Sequence, residues 1–264
     1  MRSVWLPRPR SVAGVSVAQC AALVLPFMFV AASDASRYAV LLVAALIAAL
    51  AFEGAFAFLR GHGPSLDGVT TALVAAIVVP PEIALWQVIT VVSLGAVLGE
   101  LVFGGRGFGF VSPATVALAL LVISFPELEL SQPTRELALA VLPGGISLLA
   151  LGLISGRVLL AVGLSAWACM YLSGQGTEPG QIAAALAFGL VFLIADPTSA
   201  ASTNAGRWIY GALAGGLVAL FSSQGVITSE AVIFAALMAA IFAPLIDHLV
   251  VLAHVWCRGR RSYV

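Results

Sequence analysis

Ten apolar segments fill this chain and constrain its fold more than any other feature. They run over Val12–Ala32, Tyr38–Leu59, Gly68–Val79, Trp86–Phe103, Pro113–Phe125, Glu136–Ile154, Val158–Leu172, Gln181–Ala195, Trp208–Ser222 and Glu230–His254. About 20 apolar residues cross the hydrocarbon core of a bilayer as a helix. Only 9% of the residues are charged, against roughly 25% in soluble domains. The sequence therefore predicts an all-α, polytopic membrane protein with about ten transmembrane helices.

The arginines predict how these helices are oriented. All 12 basic residues are arginines. With a cytoplasmic N-terminus, only Arg37 and Arg135 fall outside; the cytoplasmic ones are Arg2, Arg8, Arg10, Arg60, Arg106, Arg157, Arg207, Arg258, Arg260 and Arg261. Cytoplasmic loops carry the excess of arginine in bacterial membrane proteins. We therefore predict a multi-pass protein of the bacterial inner membrane with both termini in the cytoplasm, in which the first apolar segment is a retained span.

The two halves of the chain share a pattern of helix breaks. Pro80 and Pro197 end short apolar segments 117 residues apart, and Ser112 and Ser229 begin later helices at the same offset. The pattern predicts two five-helix repeats, residues 12–126 and 136–254, within one membrane domain covering residues 1–264. Because five is odd, the repeats are inverted, and such repeats place a binding site at their interface. The alternative is that proline and glycine only permit close helix packing.

Several acidic residues lie within apolar segments, where an ionisable group is costly and is commonly functional. Glu53, Glu100 and Asp247 are the candidates for an ion pathway. The alternative is that each is a structural acid with a local partner. The three cysteines and three histidines have no metal-ligand spacing. We therefore predict no metal site and no self-contained catalytic site.

Four motifs together resemble one family. They are DGVTTALVAAIVVPP, FGGRGFGFVSPATVALALLVISFP, IADPTSAASTNAGRWIYGALAG and FAPLIDHLV. They are similar, in order and spacing, to the NqrB/RnfD family, whose members are membrane subunits of the sodium-translocating NADH:quinone reductase and of the Rnf electron-transport complex. The resemblance implies a ten-helix subunit that holds flavin, passes electrons and is coupled to cation transport.

The resemblance also implies a covalent FMN, joined by a phosphoester to a threonine in the outer loop between the fifth and sixth helices. Here that loop reads ELELSQPTREL, and Thr134 is the matching residue. Pro133 stands where the family motif has alanine, no aspartate stands at the expected position, and the loop is short. Proline fixes its own φ and restricts the residue before it. A loop that has lost the attachment is therefore the favoured interpretation, and FMN on Thr134 is the alternative.

A noncovalent flavin, FMN or riboflavin, is also implied for the membrane part. The polar loop after the eighth helix supplies the candidates Thr198, Ser202, Thr203, Asn204 and Trp208. Its hydroxyl and amide groups suit the dione edge of an isoalloxazine, and the aromatic slot would consist of Phe188, Phe192, Trp208 and Tyr210. The competing interpretation is that Asp196 and Pro197 end a helix and the hydroxyls satisfy the loop backbone.

The leading functional hypothesis is a shortened membrane subunit of an Rnf/Nqr-like redox complex. It would work in the lipid bilayer with other subunits and without nucleic acid. No nicotinamide-binding fingerprint is present in the sequence, so NADH oxidation would fall to a partner. The alternatives are a stand-alone transporter or channel for a small solute, which the fold resemblance to urea channels allows, and a scaffold subunit that retains only assembly contacts.

Overall fold

The computed structural model describes residues 12–60, 68–105, 108–174, 178–222 and 226–261. These residues form ten helices: α1 Val12–Ala31, α2 Ala35–Arg60, α3 Gly68–Val78, α4 Leu85–Ala96, α5 Pro113–Ser124, α6 Arg135–Ala150, α7 Gly156–Leu172, α8 Pro179–Gly189, α9 Asn204–Phe221 and α10 Ser229–Arg261. α4 continues into a π-helical turn, Val97–Leu101, and α8 into another, Leu190–Ile194. The predicted all-α fold is confirmed. Most helix boundaries lie within a few residues of the predicted ones.

Three of the described helical stretches are long and apolar enough to cross a bilayer. They are Gly14–Ala31, Ala35–Arg60 and Ser229–Trp256. The shorter apolar helices are Gly68–Val78, Leu85–Leu101, Pro113–Ser124, Gly156–Leu172 and Pro179–Ile194. The count of about ten membrane crossings, like the orientation of the chain, stays a prediction.

Residue size is distributed in the way expected of a bundle surrounded by lipid. Large apolar side chains such as Ile47, Leu160 and Leu220 are exposed, whereas alanines fill much of the interior. The fully covered alanines include Ala45, Ala49, Ala72, Ala76, Ala166, Ala214, Ala235 and Ala239. Lipid tails are as apolar as leucine, so helices in a bilayer associate through close backbone packing at small residues. This arrangement fits the membrane environment that the composition predicts.

Side-chain caps set several helix starts. Thr134 Oγ1 accepts the Leu137 N–H at 3.2 Å at the start of α6, and Thr203 Oγ1 accepts the Gly206 N–H at 3.1 Å at the start of α9. At α2, Asp34 accepts the Arg37 N–H at 3.2 Å. That bond and a second from the Ser36 hydroxyl hold the pKa of the Asp34 carboxyl below its ordinary value. Such caps satisfy backbone donors that have no partner within the helix.

The same helix pairs pack together in both halves of the chain. α1 packs on α3, α2 on α4 and α4 on α5; correspondingly, α6 packs on α8, α7 on α9 and α9 on α10. Between the halves, α1 contacts α6 and α5 contacts α10. This is the packing that two five-helix repeats require, and the repeat itself stays a prediction. The end of the bundle at which α2 ends is called the inner end, and the opposite end is called the outer end. These names follow the predicted orientation.

The α7–α9 contact depends on glycines of α9 that touch the backbone of α7. A Cβ added to Gly215 would lie 2.9 Å from the Ala166 nitrogen and would collide with the Val162 carbonyl. A Cβ added to the next residue, Gly216, would meet no atom within 4 Å. The two neighbouring glycines therefore form a matched pair for testing this contact.

We expect Gly215→Ala to destabilise the fold by about 1–3 kcal/mol, because the extra methyl forces the helix backbones apart. Gly216→Ala should leave the stability unchanged or raise it, because alanine is the better helix former. Thermal unfolding of both variants in detergent measures the difference. Equal melting temperatures would contradict the close α7–α9 packing.

Candidate functional site

A small polar cavity lies where α1, α3, the start of α5 and both π-helical turns meet. Its polar lining consists of Gln19, Thr70, Thr71, Glu100, Ser112, Asp196 and Thr198. The volume is about 30 Å³, and one water molecule needs roughly 10–15 Å³. The cavity therefore has room for about two or three species of the size of a water molecule. We call it the acidic cavity.

Two buried carboxylates face the acidic cavity. Asp196 is 5% exposed and Glu100 is 8% exposed. Gln19 Nε2 donates to Asp196 Oδ1 at 3.2 Å, and Thr198 Oγ1 donates to Asp196 Oδ2 at 2.8 Å. Glu100 lies within the π-helical turn of α4, and such turns occur frequently at functional sites. The arrangement places two buried carboxyl groups inside the bundle, where such groups commonly serve ion or proton pathways.

Glu53 lies beside the acidic cavity, in an adjoining space of about 10 Å³. Its Oε2 accepts the Gly68 N–H at 3.1 Å, so the carboxylate caps the short helix α3 from α2. Thr71, Glu100 and Pro113 line both spaces. The structure therefore brings together two of the predicted ion-pathway acids, Glu53 and Glu100, and adds Asp196 to them.

Asp247, the third predicted ion-pathway acid, holds the start of α9. Its Oδ2 accepts the Ser202 N–H at 2.7 Å and the Ser202 hydroxyl at 2.9 Å. Its Oδ1 accepts the Thr203 N–H at 3.0 Å and the Thr203 hydroxyl at 2.5 Å. Four hydrogen bonds thus tie α10 to the loop that precedes α9. An aspartate near a helix N-terminus also interacts favourably with the helix dipole.

Gly206 makes room for this carboxylate. A Cβ at that position would lie 2.5 Å from Asp247 Oδ1. Two motifs that are distant in the sequence, STNAG and PLID, are therefore parts of one structural unit. Glycine is required here because the side chain of any larger residue would displace the Asp247 carboxylate.

The predicted flavin residues of the polar loop face four different surroundings. Thr198 borders the acidic cavity, whereas Ser202 and Thr203 bind Asp247. The Asn204 side chain accepts a hydrogen bond from the Arg157 guanidinium. Trp208 is 43% exposed and lies in an outward-facing groove between α7 and α9. The structure does not bring these side chains together.

The predicted aromatic slot is also divided. Phe188 and Phe192 contact each other inside the bundle with ring centroids 5.3 Å apart. Tyr210 is fully buried and its hydroxyl donates to the Ile194 carbonyl at 2.8 Å, whereas Trp208 faces outward. The residues present do not fit an isoalloxazine as one flat slot with a polar edge. No electron-transfer step is therefore assigned to a flavin in this loop.

Thr134, the candidate for covalent FMN, has a structural role in this chain. Its side chain is the N-cap of α6, and the residue is exposed. Attaching a phosphoester to Oγ1 would replace a hydroxyl acceptor by a weaker ester oxygen next to the capped N–H. The geometry therefore fits the cap better than a flavin linkage.

A second cavity of about 30 Å³ lies toward the outer end, and its walls are mainly apolar. They include Ile77, Leu137, Phe188, Leu193, Val232 and Ile233, with Ser131 and Ser229 at one side. Phe188 borders this cavity and Phe192 borders the acidic one. On α3, Val74 lines the acidic cavity and Ile77 lines the second cavity. A septum of these four apolar side chains thus lies between the two cavities, and we call the second one the outer cavity.

Sequence reasoning missed two parts of this site. The septum was missed because the sequence analysis assigned Phe188 and Phe192 to an aromatic slot for flavin. The Gln19–Asp196 contact joins residues 177 positions apart. The available signal was Gln19 itself, a large polar residue within the first apolar segment.

Comparison with known proteins identifies related sequences. The model of the NQR2, RnfD, RnfE family matches residues 2–133 and 131–255. Three relatives are Na(+)-translocating NADH-quinone reductase subunits from Ectopseudomonas mendocina, Pseudomonas aeruginosa and Azotobacter vinelandii, to which the chain is 31%, 30% and 31% identical. Each match covers 80% of this chain and 66% of the relative. The chain thus spans just under two thirds of the length of these relatives.

We expect Asp247→Ala to loosen the polar loop, because the Ser202 and Thr203 N–H groups lose their acceptor at a cost of about 1–3 kcal/mol each. Limited trypsin digestion measures the effect as faster cleavage after Arg207, which lies in the first turn of α9. His248→Ala, at the neighbouring position, is the control and should digest like the parent. Unchanged cleavage of Asp247→Ala would contradict the anchoring role.

Proposed function

The chain belongs to the NQR2, RnfD, RnfE family, and from this membership we propose that it is a membrane subunit of a redox complex in which electron transfer is coupled to cation transport. We infer further that its own contribution is the cation path. The observation that carries the proposal is the acidic cavity next to the apolar septum. Family membership and the names of the relatives support the redox complex and the partner subunits.

The acidic cavity suits a small cation. Glu100 and Asp196 supply negative charge, and the side chains of Gln19, Thr70, Thr71 and Thr198 supply neutral oxygen atoms. Oxygen ligands are the ones that hard cations prefer. Burial strengthens the attraction between a cation and these carboxylates, because the effective dielectric inside the bundle is lower than in water. Glu53 and Glu100 then form a route toward the inner end of α2.

The septum prevents a continuous aqueous leak. Val74, Ile77, Phe188 and Phe192 offer no side-chain oxygen atom to a cation, and apolar constrictions act as gates because water leaves them. The π-helical turn Leu190–Ile194 contains Phe192 and directly follows the helix that contains Phe188. A shift of this turn would move one phenylalanine relative to the other. We propose this motion as the step by which a cation passes between the cavities.

Asp247 has a positioning role in this proposal. It binds Ser202 and Thr203, and we propose that it thereby steadies the loop that also carries Asp196 and Thr198. Its four hydrogen-bond donors occupy both carboxylate oxygens. We therefore place Glu53, Glu100 and Asp196 on the cation path, and Asp247 beside it.

A flavin supplies one- and two-electron transfer where it is bound. The resemblance of the sequence implies such a group, but Thr134 is a helix cap and the polar loop does not form one slot. The proposal therefore assigns electron transfer to the assembled complex and the cation path to this chain.

The second candidate is a stand-alone transporter or channel for a small neutral solute. It is favoured by one observation: both cavities and the septum are formed within a single chain. The two candidates differ in their need for negative charge. A cation path depends on the carboxylates of the acidic cavity, whereas a neutral solute does not.

We expect Phe192→Ala to open a leak, because it removes most of one septum ring. In proteoliposomes containing a sodium-sensitive dye, sodium entry should rise by about tenfold or more over the parent. Adding Asp196→Asn to this variant should reduce the sodium leak and leave the entry of a neutral solute such as urea unchanged. Phe58→Ala, at an exposed site on α2, is the control for loss of an aromatic ring.

The outcome separates the candidates. A leak that carries urea and sodium alike, whatever residue occupies position 196, would favour the neutral-solute channel. No leak from Phe192→Ala would contradict a path through the septum. Phe192→Leu keeps more of the packing and repeats the test if the alanine variant does not fold.

A separate measurement tests covalent flavin. We expect no fluorescent band for this protein in a denaturing gel, because Thr134 Oγ1 serves as the cap of α6. A fluorescent band that disappears in Thr134→Ala and persists in Ser131→Ala would overturn this expectation and restore the linkage at Thr134.

A further inference from the structure

Residues 128–134 cross the outer end of the bundle and join helices from both halves of the chain. We call them the strap. Leu130 is its buried residue. The Ser131 N–H donates to the Val78 carbonyl at 3.0 Å, at the last residue of α3. The Ser131 carbonyl accepts the Ser229 hydroxyl at 2.6 Å, at the first residue of α10. The strap therefore links the end of one helix to the start of another.

Gln132 forms a clamp on the first turn of α10. Its Oε1 accepts the Ser229 N–H at 3.3 Å, and its Nε2 donates to Glu230 Oε1 at 3.3 Å. The same Nε2 donates to the Leu130 carbonyl at 3.1 Å within the strap. One carboxamide thus serves a backbone donor and a side-chain acceptor on α10. It satisfies a helix-start N–H that has no acceptor within its own helix.

The strap also forms part of the wall of the outer cavity. Ser131 and Pro133 line this cavity from the strap, and Ser229 lines it from α10. The two serines are the partners of the 2.6 Å hydrogen bond. The contact between strap and helix therefore lies at the edge of the cavity. Breaking it would remove one side of the wall.

We propose that the strap is a latched closure of the outer cavity and that Gln132 is its latch. Its hydrogen bonds to α10 are made by a neutral carboxamide near the surface, and such bonds are individually weak. Leu130 anchors the strap on one side, and the N-cap Thr134 anchors it on the other. Residues 131–133 are the part that opens, and opening exposes the outer cavity to the outer side.

This inference rests on the proposed function, because it gives the cation path its outer gate. It also has a readout of its own. Cysteine reactivity at Ile233, a buried residue of the outer cavity, reports whether the cavity is open. The measurement needs neither a partner subunit nor a redox reaction.

The experiment uses the full chain in detergent, with Cys20, Cys169 and Cys257 replaced by alanine and Ile233→Cys added. The rate of N-ethylmaleimide labelling is measured with and without Gln132→Ala. Because the substitution removes both hydrogen bonds from the clamp to α10, the labelling rate should rise roughly fivefold to thirtyfold. Glu127→Ala, on the same loop outside the strap, should leave the rate at that of the parent.

Equal labelling rates with glutamine and alanine at position 132 would overturn the latch. If Gln132→Ala does not fold, Gln132→Glu replaces it, because this variant keeps the size of the side chain and sets a carboxylate against Glu230. A rise in labelling together with no leak from Phe192→Ala would support the closure and contradict the cation path. A leak together with unchanged labelling would overturn the closure alone.

Discussion

The Asp247 carboxylate is the interaction on which the inner half of this structure depends. It lies on α10 and accepts four hydrogen bonds from Ser202 and Thr203, so it sets where α9 begins. The loop held in this way carries Asp196, whose contact with Gln19 then ties α1 to the same place. Polar contacts thus join three helices, α10, α9 and α1, in the inner half of the bundle.

Close packing of helices stabilises this bundle in place of the hydrophobic effect, which drives helix association in water. Glycine and alanine let α7 and α9 approach until backbone atoms touch, and many large apolar residues lie on the exterior. Two π-helical turns interrupt this regular packing, and both border the acidic cavity. The irregular backbone of these helices is therefore concentrated at the proposed site.

Much of the fold could be predicted from the sequence, because each helix is marked by an apolar run and most breaks between helices contain proline or glycine. Helix starts such as Ser112–Pro113 are visible as local patterns. The family resemblance was also confirmed. The site was predicted only in part. Glu53 and Glu100 meet because α2 and α4 pack together, but residue type alone does not say that Asp247 faces a helix start. Nor does it say that Trp208 faces outward while Phe192 faces inward. Those facts depend on helix rotation, which an apolar run of uniform hydrophobicity leaves unspecified.

The two cavities on either side of the septum differ in their acidic residues. Glu100 and Asp196 line the cavity on one side of Phe188 and Phe192, whereas none of the described residues that line the outer cavity carries a carboxylate. In the proposed path, a cation at the inner side would lie beside two carboxyl groups, and one at the outer side would meet only the hydroxyl groups of Ser131 and Ser229 among the side chains that line the cavity. If the proposed cation path is correct, this asymmetry makes it a rectifier, because an ion is loaded from one side of the septum only.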